Sequence, residues 1–201
     1  MKNKLKIAAF YMLAVMLGGC VPSLHPLFTD EEIVFDANLV GVWAEPNSPN
    51  SWEFKPAANK KYDVVYTDEK GKGKFDGRLG KIGKEMYLDL YPQDMNVPGN
   101  DFYKWHLLGV HTFMEIELSK KGLELAFMAP DSLKELLKKE PNAIKHEEVD
   151  DRIVLTASTK ELQAFVLKYS NSDKVKLFGN ENDKGNTLLQ RVKQQDANSV
   201  K

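Results

Sequence analysis

The sequence predicts a mainly β protein in which an antiparallel meander closes into an eight- to nine-stranded barrel, with two short helices inserted before the last strand. Three observations lead there. From Leu39 onward, turn clusters such as Pro46-Asn47-Ser48-Pro49-Asn50, Ala57-Ala58-Asn59-Lys60 and Asp68-Glu69-Lys70-Gly71 recur at hairpin spacing. Between them side chains alternate with a period of two: Met86, Leu88 and Leu90 fall on one face and Tyr87, Asp89 and Tyr91 on the other, and Leu123, Leu125 and Phe127 repeat the pattern. An open sheet of that many strands would also leave two unpaired edges, which closure removes.

The chain begins with a stretch that does not belong to the barrel. Lys2, Lys4 and Lys6 precede an apolar run from Ile7 to Leu17, followed by Gly18, Gly19 and Cys20. A membrane-crossing helix needs about 20 apolar residues, so this run is too short to span and reads as a secretion signal covering residues 1–19. Leu17, Gly18, Gly19 and Cys20 closely resemble the bacterial lipoprotein lipobox. That resemblance implies cleavage between Gly19 and Cys20, with acylation of Cys20 on its sulfur and its new amino group. Two or more fatty chains anchor a protein stably where one holds it only marginally. The implied location is the bacterial cell envelope, and Val21, in place of an aspartate after the cysteine, implies the periplasmic face of the outer membrane in a Gram-negative source.

Composition narrows the function classes. The 28 Lys and Arg against 29 Asp and Glu give a net charge of −1, and loss of the three leader lysines makes the remainder more acidic, so no nucleic-acid partner is indicated. Cys20 is the single cysteine; once acylated it leaves no thiol for a disulfide, a metal site or a nucleophile.

In order along the chain, residues 20–36 form the lipidated N-terminus and a short tether, kept extended by Pro22 and Pro26, with Leu24, Leu27 and Phe28 apolar enough to lie back on the body. Residues 37–193 form the barrel domain. Its strands are expected over 40–45, 51–55, 61–67, 74–82, 85–91, 105–118, 123–128, 152–157 and 187–193. Inside the insertion 130–178, Asp131 or Ser132 caps a helix with Leu133, Leu136 and Leu137 on one stripe, stopped by Pro141. Ser158 and Glu161 form a capping box for a second, whose Leu162, Phe165, Val166 and Tyr169 must pack on the barrel wall or an open end. Residues 194–201 are polar and expected to fray.

Gly41-Val42-Trp43 at the head of the first barrel strand and Arg191 in the last resemble the lipocalin and calycin signature, in which an arginine from the far end of the chain covers a G-x-W tryptophan. The resemblance implies that Gly41, Trp43 and Arg191 close the barrel. The opening Val21 to Asp30, together with Ile33-Val34-Phe35-Asp36 and Leu39-Val40-Gly41-Val42-Trp43, also resembles a group of bacterial envelope lipoproteins.

No catalytic, metal or cofactor site emerges. His106 and His111 are an odd number of residues apart and point to opposite faces of a regular strand. His111, Glu115 and Glu117 share a face, read as the solvated one opposite Met114, Ile116 and Leu118. The glycines from Gly71 to Gly83 lack phosphate-loop order and suit hairpins and barrel corners. Three functions stay open. The first is binding of a small apolar or amphipathic molecule in a cavity lined by Trp52, Phe54, Tyr62, Tyr66, Met86 and Leu88. The second is a packed barrel that docks another envelope protein; the third is an envelope hydrolase using His111 and Glu115.

Overall fold

A computed structural model describes residues 20–93, 98–170, 175–179 and 186–192; the signal segment 1–19, with the first three lipobox positions, and the polar tail 194–201 lie outside the described residues. The strands are β1 (Pro22–Ser23), β2 (Gly41–Ala44), β3 (Ser51–Pro56), β4 (Tyr62–Asp68), β5 (Gly71–Ile82), β6 (Glu85–Pro92), β7 (His111–Ser119), β8 (Gly122–Phe127), β9 (His146–Val149), β10 (Arg152–Leu155) and β11 (Asn186–Arg191). The helices are α1 (Asp101–Lys104), α2 (Pro130–Lys139) and α3 (Thr159–Tyr169).

Strands β2 to β8 pair in sequence, each antiparallel to the next, and β11 inserts between β8 and β2 to complete an eight-stranded closed barrel. Register places the large apolar side chains directly opposite one another across the ladders: Trp43 with Trp52, Trp52 with Tyr66, Phe54 with Val64, Leu79 with Leu88, and Leu88 with Met114. Because successive residues point to opposite faces, these pairs all aim inward and form one buried cluster with Tyr62, Leu125 and Leu189.

A second buried cluster lies outside the barrel. The short β1 pairs antiparallel with the start of β7 and parallel with β10, and β9 forms a hairpin with β10. Together with α2, α3 and the segment 21–33, these elements cover the outward face of β6 to β8, enclosing Tyr87, Phe113 and Ala126 with Phe28, Leu133, Leu155, Phe165 and Phe178. The amphipathic stripe of α3 therefore packs on the wall, and its start is the capping box of Ser158 and Glu161.

Residues 20–36 are built into this wall rather than strung from it as a tether. Val21 is only 3% exposed. The Leu24 N–H donates to the Leu155 carbonyl at 2.9 Å, that of Val34 to the Leu79 carbonyl at 2.8 Å, and that of Leu27 to Asp89 Oδ2 at 2.9 Å. Proline keeps the segment extended, and extended backbone is what a sheet edge can receive.

Several local expectations are corrected. The strand expected over 105–118 begins only at His111, because Asn100 accepts a hydrogen bond from the Tyr103 N–H and caps α1. α2 starts one residue before the expected caps, with Pro130 at its first position, where a missing N–H costs nothing. The strand β9 was not expected; Asp150 and Asp151 both adopt positive φ, the turn that matches hairpin twist. On the face opposite Met86, Leu88 and Leu90, Tyr87 and Asp89 are buried, whereas Tyr91 is 37% exposed.

Gly80 in β5 shows how tightly the outer layer is seated. A Cβ there would overlap the Phe28 ring, which lies on the bare backbone. Gly80→Val is expected to dislodge Phe28 and to lower stability by about 1–3 kcal/mol, read as a lower urea midpoint at unchanged slope.

Candidate functional site

The six residues expected to line a ligand cavity do converge on the barrel interior, where they fill the space. Trp52, Phe54, Tyr62 and Leu88 are buried in a single cluster, with Tyr66 and Met86 packed against it. Ring centroids of Trp52 lie 4.7 Å from Tyr66 and 6.5 Å from both Phe54 and Phe127, and Phe54 meets Tyr62 edge-on at 6.2 Å. Contacts at these distances leave no gap for a guest between the rings. The Tyr62 hydroxyl donates to the Asp36 carbonyl at 3.0 Å and accepts from the Asp36 N–H at 2.6 Å, so its polar end is satisfied by backbone.

At the end where β2 begins and β11 finishes, Trp43 and Arg191 are cross-strand partners. The guanidinium carbon sits 4.2 Å from the Trp43 ring centroid. Arg191 Nη1 donates to the Val40 carbonyl at 2.6 Å and Nη2 to the Asn38 carbonyl, and Trp43 Nε1 donates to the Leu39 carbonyl at 2.8 Å. A side chain at position 41 would collide with Nη1, and Gly41 has φ of 137°, so glycine is required twice over. The planar fork stacks and bonds two carbonyls at once, which an ammonium cannot do.

The polar group that sequence reasoning missed lies on the outer wall. Asp89, 1% exposed, accepts from His111 Nδ1 at 2.8 Å through Oδ1 and from the Leu27 N–H at 2.9 Å through Oδ2. The Tyr91 ring lies 4.7 Å from the imidazole. His111 and Glu115 share a face, as their spacing required, but His111 is buried rather than solvated. Phe113, between them on that face, was the available signal: a phenylalanine flanked by Tyr87 and Asp89 on the neighbouring strand calls for a cover. Glu115 is half-buried further along, and burial, then the nearby Glu85 carboxylate, push its carboxyl above the usual range. Burial, with Glu115 and Glu85 close by, pushes the Tyr87 hydroxyl up to about 12. His106 is exposed on the loop after α1, where its Nδ1 lies 2.8 Å from the Phe102 carbonyl, far from any shared role with His111.

The surface offers three further features. Cys20 is exposed although the next residue is buried. Two hollows of about 310 and 560 Å³, open to solvent, flank α3 where it crosses the N-terminal segment; the first is lined by Phe28, Ile82, Ala164 and Leu167 together with Glu32, Lys81, Lys160 and Gln163. The connection from β6 to β7 holds Phe102, Trp105 and Leu108 at 68%, 78% and 71% exposure. Among the described residues no three His, Cys, Asp or Glu side chains come together as a metal cage, and no helix is long and apolar enough to cross a membrane. No protein-family model, curated protein or solved structure matches the chain.

Arg191→Ala is expected to lower unfolding free energy by about 2 kcal/mol, and Arg191→Lys to recover less than half of that, both read by chemical denaturation. Asp89→Ala leaves a buried imidazole and a backbone N–H without their acceptor, and is expected to cost about 3 kcal/mol. In that variant the Leu27 amide should exchange with solvent faster than in the parent, as measured by NMR.

Proposed function

We propose that this chain is a non-catalytic, lipid-anchored bacterial envelope protein, acylated on Cys20, whose barrel is a solid scaffold that holds surface elements against another envelope component. The filled interior carries the scaffold reading: Trp43, Trp52, Phe54, Tyr62 and Leu88 occupy the space a carried molecule would need. The anchor reading rests on the lipobox resemblance. It is supported by an exposed Cys20 at the edge of a body whose packing starts at Val21. With Val21 following the cysteine, the outer membrane is the proposed location in a Gram-negative source.

A second reading, binding of a small amphipathic molecule, is favoured by the hollow between Phe28 and α3, of about 310 Å³, at the lower end of the sizes small-molecule sites adopt. Phe28, Ile82, Ala164 and Leu167 give it an apolar floor, and Lys81, Lys160, Glu32 and Gln163 supply polar groups of both signs around it.

In cells supplied with labelled palmitate, the parent protein is expected to carry label and to stay with membranes through a high-salt wash. Cys20→Ser should lose both while keeping the same thermal midpoint, since the substituted side chain lies on the surface. Equal membrane retention of the two proteins would remove the anchor. Native mass spectrometry of the Cys20→Ser protein should give the mass of the polypeptide alone, and a retained small molecule would favour the second reading over the scaffold.

A further inference from the structure

The closed barrel has no edge, but the sheet that grows from it does. β9 pairs with β10 on one side, and among the described residues no strand lies on its other side. Register shows which backbone groups are left over. The two strands join through the turn Asp150-Asp151, Val149 stands opposite Arg152, and the Thr156 N–H donates to the Lys145 carbonyl at 3.0 Å. In an antiparallel ladder, pairs that exchange hydrogen bonds alternate with pairs that do not, so Lys145, Glu147 and Val149 direct their N–H and C=O groups at β10. His146 and Glu148 direct theirs outward, where no backbone partner stands among the described residues.

This edge is open to approach. Glu147 and Glu148 are exposed and Val149 is 53% exposed, while the His146 ring is turned back with its Nδ1 2.9 Å from the Ile144 carbonyl. Free edges are commonly blunted by proline, lysine or a bulge; β9 has none of these. It carries negative charge instead. Glu147, Glu148, Asp150 and Asp151 have no ion-pair or hydrogen-bond partner among the described residues, and Lys145 is held by Glu161 at 2.7 Å. Arg152 is the remaining cation of the hairpin.

Spacing and charge together select an occupant. The outward groups of His146 and Glu148 lie about 7 Å apart, a repeat that an extended chain matches and a helix does not. A second copy of β9 would bring a second row of carboxylates to the same line, and like charges set opposite one another destabilise a pair. Glu148 and Val149 point to opposite faces, so a strand alternating basic and apolar residues meets a carboxylate on one face and an exposed isopropyl group on the other.

We infer that the outer edge of β9 is a strand-addition site for an extended segment of another envelope protein in which lysine or arginine alternates with apolar residues. Main-chain hydrogen bonds to His146 and Glu148 supply the pairing, and the carboxylates supply the choice of partner. The inference rests on the scaffold reading above and names the surface through which the solid barrel holds its partner.

The Cys20→Ser protein serves for the test, so that the outcome is independent of the anchor, with a capped peptide of about six residues alternating lysine with valine. In an NMR titration the His146 and Glu148 amide resonances are expected to shift, and their exchange with solvent to slow roughly tenfold at saturation. Glu148→Pro removes an outward N–H and no bond to β10, at the kind of edge position that accepts proline. It is expected to weaken binding roughly tenfold while the Glu147 and Val149 amides stay protected. Glu148→Lys keeps the N–H and is expected to weaken binding about threefold at low salt and hardly at all at high salt. Resonances of His146 and Glu148 that do not move, or equal binding of a glutamate–valine peptide, overturn the site. Free protein that sediments as a dimer and is returned to monomer by Glu148→Pro gives the edge to a second copy and overturns the basic partner. The scaffold reading fails by a different observation, a small molecule retained in the native mass spectrum.

Discussion

The pairing of β6 with β7 is the constraint on which the rest of the molecule depends, because both faces of that pair are buried. The inward face supplies Leu88, Leu90, Met114 and Ile116 to the barrel core, and the outward face holds Tyr87, Asp89, His111 and Phe113. Such a face cannot be left to water. Its aromatic rings would remain hydrated, and a carboxylate and imidazole set among them would lose their mutual bond. The N-terminal segment, the β9–β10 hairpin, α2 and α3 supply the cover, and the Leu27 N–H completes the coordination of Asp89.

That cover explains features that look unrelated along the chain. Gly80 is bare because Phe28 must lie on β5, and two prolines keep 22–26 extended so that β1 can slot between β7 and β10. Thr159 and Gln163 of α3 donate to the Pro26 and Leu27 carbonyls at 2.7 and 3.0 Å, tying helix and N-terminal segment together. The result is a body that is ordered from the residue after Cys20. An anchor placed there would fix the orientation of the domain as well as its location, since no linker separates the two.

The barrel itself is closed at one end by a different device. Trp43 fills the mouth and Arg191 lies across it, joining the first barrel strand to the last with one side chain. Closing first and last strands brings together residues far apart in sequence, a costly loop to order. A stacked, doubly bonded guanidinium offsets that cost at the point where the sheet would otherwise open.

How much of this was legible depended on whether the deciding contact was local. Period-two alternation in Met86 to Tyr91, the turn clusters between strands and the Ser158–Glu161 box are short-range patterns, so the barrel strands, the closure and α3 could be read from residues a few positions apart. The Asn100 cap of α1 is equally local, but a helix of only four residues leaves no periodic pattern to point to it. What the alternation could not reveal is whether the second face of a strand meets water or another layer. His111 was assigned to solvent because period two separates faces without saying what lies beyond them, and Leu27, which covers its partner Asp89, is 62 residues from that aspartate. Likewise the inward aromatics announced an interior without saying whether it was hollow. By itself the sequence determined the β class, the closure and the start of α3, because these follow from neighbouring residues and backbone geometry. Only the tertiary structure decided that the core is full and that the wall carries a second layer, because those depend on how side chains from distant segments fit the same volume.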